Sequence, residues 1–198
     1  MAATPSTMLP LGTIAPPWTM ANTVDGQTIR YPASDSDDPV TDPITVIAFI
    51  CNHCPYVIHI IDRFVEVAQW AQQQGVQVFC VSSNDPAAYP QDAPEHMQHF
   101  ATDHGFTFPY LFDETQDAAR SYQAACTPDF FVFDRHRSLV YRGRFDAATP
   151  GNNVPVSGSD LRAAIDAVTK GNEVSLTQLP SIGCNIKWRY DGDERTTT

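Results

Sequence analysis

Phe49-Ile50-Cys51-Asn52-His53-Cys54-Pro55-Tyr56 is the stretch on which the reading of this chain turns. Upstream runs Ile44-Thr45-Val46-Ile47-Ala48-Phe49-Ile50, almost unbroken apolar and rich in β-branched residues, as expected of a strand buried on both faces. Downstream, Pro55 suits the first position of a helix, where its missing N–H leaves no bond unmade. Ile58, Ile61, Phe64, Val65, Ala68 and Ala71 then recur at spacings of three and four, one face of a helix that Gly75 stops. The cysteines therefore fall in a strand-to-helix turn, and open α/β sheets gather their sites at the carboxyl ends of strands. Cys54, just before Pro55, is placed at the helix N-cap. Unpaired N–H groups and the helix dipole favour a thiolate there, and the thiolate is the nucleophilic form. Cys51 completes a Cys-x-x-Cys pair close enough for a disulfide, and Asn52 and His53 are candidate hydrogen-bond donors to the thiolate.

Working outward, the first 17 residues read as an arm rich in Pro, Thr and Ala. A hairpin turning at Asp25-Gly26 follows, and residues 33–43 form an acidic loop. After the helix come a strand over 76–81, a helix from about Pro94 to His104 started by Asp92, and a short strand at Tyr110–Phe112. Asp113-Glu114-Thr115-Gln116 resembles a capping box opening another helix. Strands follow over 129–134 and 138–142, joined by a tight polar turn. A last helix, capped by Ser159 or Asp160, ends at Gly171, and residues 172–198 read as an extended, irregular tail. This order predicts one α/β domain over residues 1–198. Its central sheet is mixed, parallel in the middle with an antiparallel edge, and is flanked by helices on both faces. A second motif, Ala125-Cys126-Thr127-Pro128-Asp129, constrains the backbone just before an apolar strand.

The chain has 198 residues, with 12 basic and 23 acidic ones for a net charge of −11. Asp35, Asp37, Asp38 and Asp42 crowd one segment, and Asp191, Asp193 and Glu194 lie near the end. That balance argues against nucleic-acid partners and anionic membrane surfaces, which need a basic footprint. The longest apolar run, Val46–Cys51, has six residues, where a membrane span needs about 20. The N-terminus lacks a basic region, and Pro5, Pro10, Pro16 and Pro17 interrupt any signal-like stretch, so the expected location is cytoplasmic. Five cysteines in such a compartment are catalytic, metal-binding or buried more often than bridged.

Taken together, these motifs resemble the thioredoxin fold, in which a cis-proline loop lies beside the active-site cysteine. More closely, the chain resembles the alkyl hydroperoxide reductase/thiol-specific antioxidant family. Within it the match is to a peroxiredoxin-like subgroup carrying Cys51-Asn-His-Cys-Pro-Tyr-Val57, Cys126-Thr-Pro-Asp-Phe130 and Ile182-Gly-Cys-x-Ile-Lys-Trp188. Leu11-Gly-Thr-Ile-Ala-Pro-Pro-Trp18 is similar to the family's opening. The resemblance puts Cys54 on both the attacking cysteine of thioredoxin and the peroxidatic cysteine of peroxiredoxins. It implies a cis Pro128 beside Cys54, with Thr127 and Cys126 brought near. The register is set by Pro55; an alternative register makes Cys51 and Cys54 a thioredoxin-type pair. The chain departs from the peroxiredoxin Pro-x-x-x-Thr/Ser-x-x-Cys pattern, with Ile47 in the proline place and Cys51 in that of the Thr/Ser. The family also needs an arginine by the thiolate, for which Arg142 and Arg144 are the candidates.

The leading expectation is a thiol-dependent oxidoreductase with no cofactor, acting on a disulfide or peroxide and recycled by a thioredoxin or glutathione system, with a homodimer left open. Cys54 attacks; Cys51 or Cys126 resolves. Cys184 either reaches back, reaches across a dimer or is packed, and Cys80 is core. Disulfide exchange is favoured over peroxide reduction because the Thr/Ser is missing. Two alternatives remain open. One is a copper- or zinc-binding module, since copper carriers of this fold use two cysteines and a histidine. Their cysteines stand one residue further apart, a zinc site needs two more ligands than one Cys-x-x-Cys supplies, and His96, His99 and His104 read as a polar helix surface. The other is a redox-inactive binding domain.

Overall fold

A computed structural model describes residues 3–33 and 42–189. Most of the acidic loop, including Asp35, Asp37 and Asp38, and the acidic end with Asp191, Asp193 and Glu194 lie outside the described residues. Strand β1 (Thr4–Pro5) is followed by the hairpin β2 (Trp18–Asn22) and β3 (Thr28–Tyr31), turning at Asp25-Gly26 as expected. Gly26 there adopts φ +74°, a conformation that side chains rarely take. Next come β4 (Thr45–Phe49), α1 (Pro55–Gln73), β5 (Gln77–Ser82), a 3-10 turn (Pro90–Asp92), α2 (Pro94–Asp103) and β6 (Tyr110–Phe112). The chain closes with α3 (Asp117–Ser121), β7 (Cys126–Thr127), β8 (Asp129–Phe133), β9 (Leu139–Gly143), α4 (Ser159–Thr169) and β10 (Ile182–Asn185).

Seven strands form the main sheet in the order β3-β2-β6-β5-β4-β8-β9. The β4–β5 and β5–β6 pairs are parallel and all the others antiparallel. Every residue of β4 is buried, because its alternate side chains enter two different cores. Val46, Ala48 and Ile50 meet α1, α2 and α4; Ile47 and Phe49 meet α3, the N-terminal arm and the Ile186 end of the tail. Helices thus cover both faces, the mixed α/β layering expected of the sequence. Among the described residues no helix is long and apolar enough to cross a membrane.

Four local readings are corrected. Asp92 does not start α2: Ala93 is its N-cap, and the Asp92 side chain is buried and turned elsewhere. Asp113–Gln116 is no capping box, because Gln116 sits at φ +64° and bonds the Ser83 and Lys187 carbonyls. Asp113 itself accepts from the N–H groups of Ala118 and Ala119, capping α3 from further back. Neither Ser159 nor Asp160 caps α4: its N-cap is Gly158, whose N–H bonds Asp146. The tail is not wholly irregular, since β10 pairs antiparallel with β1 on one side and β7 on the other.

Candidate active site

Three loops leave the carboxyl ends of the parallel strands and meet above the sheet: Ile50–Cys54 after β4, Ser83–Asp92 after β5, and Asp113–Gln116 after β6. Strand β8 runs antiparallel to β4 with Asp129 opposite Phe49, which sets the preceding Thr127–Pro128 bond beside the cysteine turn. That bond is cis. Cys54 is the N-cap of α1 in an extended conformation, with Pro55 at the first position, and its carbonyl accepts from the Val57 and Ile58 N–H groups.

The Cys54 Sγ lies 3.1 Å from the Thr127 carbonyl, to which it donates only while protonated. Cys51 Sγ lies 3.4 Å from the Thr127 hydroxyl. All five cysteines are free and buried. The hydrogen bond shared with Cys51 is the largest influence on Cys54; it outweighs the opposing effect of burial and pulls the thiol down to about 5, with Cys184 and Thr127 acting the same way. Cys51 is pushed well above the ordinary thiol range by that same bond, by burial and by Asp92. The pair thus favours a thiolate on Cys54 and a retained proton on Cys51. Cys80 is raised by burial alone, as befits a core residue.

Side-chain alternation settles the other cysteines. Cys184 lies directly opposite Thr127 in the β7–β10 pair and shares its face, while Cys126, opposite Asn185, faces the other way. Cys184 accordingly acts on Cys54, and burial pushes the Cys184 thiol up to about 12. Cys126 approaches the Pro128 carbonyl at 3.6 Å and is likewise raised by burial. The placement reverses the sequence order of the two, bringing Cys184 against Cys54 and turning Cys126 away. Gly183 makes this possible, since a side chain there would collide with the Thr127 carbonyl.

The expected supporting groups are engaged elsewhere. Asn52 donates to the Gln91 carbonyl and accepts from the Tyr110 hydroxyl, and its N–H bonds Asp92. His53 stacks on Tyr89 and faces Asp92 rather than Cys54. Arg142 is fully buried, 3.2 Å from Asp129, bonded to the Gln123 carbonyl and stacked over Phe131. Arg144 pairs with Asp160 at 2.8 Å and lines a cleft of about 70 Å³ with Tyr56, Ile60, Pro128 and Ser181. Neither arginine is among the largest influences on the Cys54 thiol. A cavity of about 720 Å³ lies by Ile44, Asp134 and Leu139, and none of these cysteines lines it.

Asp92, Asn84 and Tyr110 are the members that sequence reasoning missed. Asn84 donates to Asp92 and accepts from the Lys187 N–H, tying the tail to the site. The available signal was position: Asn84 and Asp92 follow β5, a strand whose carboxyl end lies on the same edge as Cys51.

A family model described as AhpC/TSA family matches residues 11–142, more than half of the chain. The chain belongs to the AhpC/TSA family. Arg144, β10 and Cys184 lie beyond the matched segment. Among solved structures, an uncharacterized conserved protein from Geobacillus kaustophilus is 47% identical with TM-score 0.89, covering 96% of this chain and 97% of its own. A hypothetical protein from Sinorhizobium meliloti 1021 is 43% identical with TM-score 0.87, covering 94% and 98%. The thioredoxin domain of a thiol-disulfide oxidoreductase from Bacteroides vulgatus shares the fold at 14% identity and TM-score 0.54, covering 68% and 89%. No curated protein sequence matches the chain. This AhpC/TSA member is therefore a redoxin with the thioredoxin-like fold, a family setting that supports thiol oxidoreductase chemistry.

Proposed function

We propose that the protein is a thiol-disulfide oxidoreductase in which Cys54 is the nucleophile and Cys51 the resolving thiol. The observation that carries this reading is the placement of Cys54 at the N-cap of α1 beside Cys51, whose side chain is the largest influence drawing the Cys54 thiol down while its own is pushed up. The Cys54 thiolate attacks one sulfur of a substrate disulfide. A mixed disulfide forms and the other substrate sulfur leaves as a thiolate. Cys51 then gives up its proton and attacks the Cys54 sulfur, releasing the second substrate thiol and leaving a Cys51–Cys54 disulfide. A dithiol reductant of the thioredoxin class, or glutathione, restores both thiols. Thr127 and Pro128 border the attacked sulfur, and Cys184, in contact with Cys54, is a second resolving thiol.

A disulfide suits the site better than a peroxide. Cys51 stands where a peroxide-binding hydroxyl is expected, and neither Arg142 nor Arg144 is engaged with Cys54. Cys54 is fully buried with Cys184 against it, so turnover requires β10 to yield and admit the substrate.

The test is thiol trapping. Reduced protein is exposed to one equivalent of oxidised glutathione or of hydrogen peroxide, alkylated, and mapped by mass spectrometry. A Cys51–Cys54 disulfide forming faster with the disulfide than with peroxide is the expected result. Thiols that stay free with both oxidants would overturn the reading, and the same product formed faster by peroxide would reverse the substrate preference.

A further inference from the structure

Cys51 also belongs to a second cluster, whose other members, His53 and Asp92, this turnover does not use. Cys51, His53 and Asp92 each direct one donor atom into a common space, and the three atoms lie within 4.8 Å of one another. They come from two loops, after β4 and after β5, whose strands pair in parallel. Asp92 is fully buried, and among the described residues the only ionisable group paired with it is His53. A buried carboxylate without a permanent cation is costly, and such groups are paired or coordinate metals. Its oxygens are held in place: Oδ1 accepts from the Asn52 N–H at 2.9 Å and Oδ2 from Asn84 at 2.8 Å. His53 Nδ1 stands 2.7 Å from Asp92 Oδ2, yet the two do not align as a hydrogen bond, so this buried ring nitrogen is unpartnered. The imidazole plane is fixed from outside by stacking on Tyr89, with ring centroids 5.6 Å apart and planes 5° from parallel.

We propose that Cys51, His53 and Asp92 form a site for a divalent transition-metal ion of the zinc class. Sulfur, imidazole and carboxylate are the donors that Zn²⁺ accepts, and three protein ligands leave a fourth tetrahedral position to water or another ligand. Zinc bond lengths place neighbouring donors about 3.3–3.8 Å apart. The widest pair therefore closes by about 1 Å and the His53–Asp92 pair opens slightly, a change that the partly exposed His53 side chain can take up. Binding displaces the Cys51 proton, which leaves as H⁺, and forms a thiolate–metal bond; no electron moves. Asn84 and the Asn52 backbone then act as the outer shell that orients the carboxylate. The site withholds Cys51 from resolution and is lost when Cys51 enters a disulfide. It does not depend on the turnover proposed above, because it is read on metal alone.

The decisive experiment titrates the reduced full-length chain with Co²⁺, followed by the sulfur-to-cobalt charge-transfer band and the visible bands of tetrahedral cobalt, then competes with Zn²⁺. The variants are Cys51→Ser, Asp92→Asn, His53→Ala and Cys54→Ser. The expected result is tetrahedral cobalt at one equivalent, with Zn²⁺ affinity falling about tenfold or more in the first three and less than threefold in Cys54→Ser. Should Asp92→Asn fail to fold, His53→Ala, whose side chain is 17% exposed, still decides. Affinity unchanged in His53→Ala, or lost equally in Cys54→Ser, would overturn the site and leave simple chelation by the Cys-x-x-Cys thiols. Absence of any cobalt band at millimolar metal would overturn it too, leaving His53 and Asp92 a plain side-chain contact.

Discussion

The Thr127–Pro128 segment separates two buried polar groups of opposite character. On the α1 side, Cys51, Cys54 and Cys184 cluster around the Thr127 carbonyl and hydroxyl. On the β9 side, Cys126 lies near the ion pair of Asp129 and Arg142, with the Ser6 hydroxyl donating to Asp129. Both are buried, and both contain thiols. Yet Cys54 is drawn down to about 5, while Cys126 is pushed up and Asp129 rises to about 6, each of the last two chiefly by burial. Burial alone raises acids on both sides. Only the α1 side offers a hydrogen-bond-donating thiol and a helix N-terminus to reverse it. Burial of a cysteine is therefore no guide to its reactivity; the donors around the sulfur are.

The sharpest way to break this contrast is to remove each sulfur in turn. Cys54→Ser is expected to abolish disulfide turnover to background, whereas Cys126→Ser retains it within about threefold, a change near 0.6 kcal/mol in barrier height. Equal losses would erase the distinction between the two sides.

Next in size is the cost of opening the β9 side. Arg142→Met leaves Asp129 buried without its cation and is expected to destabilise the fold by about 3–5 kcal/mol. Chemical denaturation of the reduced protein measures it. The folded fraction should keep the low Cys54 thiol value, because Arg142 is not among the main influences on Cys54.

The pH dependence of stability should carry opposite signs on the two sides. Cys54 has a folded value near 5, below its ordinary value of 9.0. Its contribution is full above the unfolded value and is lost as pH falls from about 9 towards 5. Asp129 has a folded value near 6, above its ordinary 3.8. Its contribution is full below the unfolded value and is lost as pH rises from about 4 to 6. Each amounts to a few kcal/mol, on the order of 1.4 kcal/mol per unit. Denaturation midpoints across pH 4–9 for Cys54→Ser and Asp129→Asn, against the parent, separate the two slopes; parallel profiles would sink the assignment.

A smaller effect sharpens the role of β10. Gly183→Ala places a methyl group against the Thr127 carbonyl and should cost about 1–3 kcal/mol by overpacking. Alkylation of Cys184 should then speed up while that of Cys80, deep in the sheet, does not. Unchanged Cys184 reactivity would mean that β10 does not cover the site.

Much of the α1 side was legible in advance. The apolar run into Cys51, the Cys54–Pro55 junction and Gly75 act through local physics: strand burial, a missing N–H and a left-handed turn. Thr127–Pro128 was legible through resemblance. What stayed hidden depends on contacts distant in sequence. Asp92 reads as a helix start because Asp favours that position, but tertiary bonds from Asn52 and Asn84 claim it. Strand β10 is short, contains Gly183 and pairs with a two-residue strand, so it carries no usable period-two pattern. Nothing in the local sequence of Arg142 distinguishes a fully buried guanidinium from a solvated one; only its register opposite Phe131 does.

The central claim is that Cys54 is an ionised nucleophile because Cys51 donates to it. The direct measurement is the rate of alkylation of Cys54 by iodoacetamide from pH 4 to 10, followed residue by residue with mass spectrometry, in the parent and in Cys51→Ser. The account predicts a titration centred near 5 in the parent and displaced upward in the variant. A parent profile centred near the ordinary thiol value of 9.0, or one unmoved by Cys51→Ser, would contradict it.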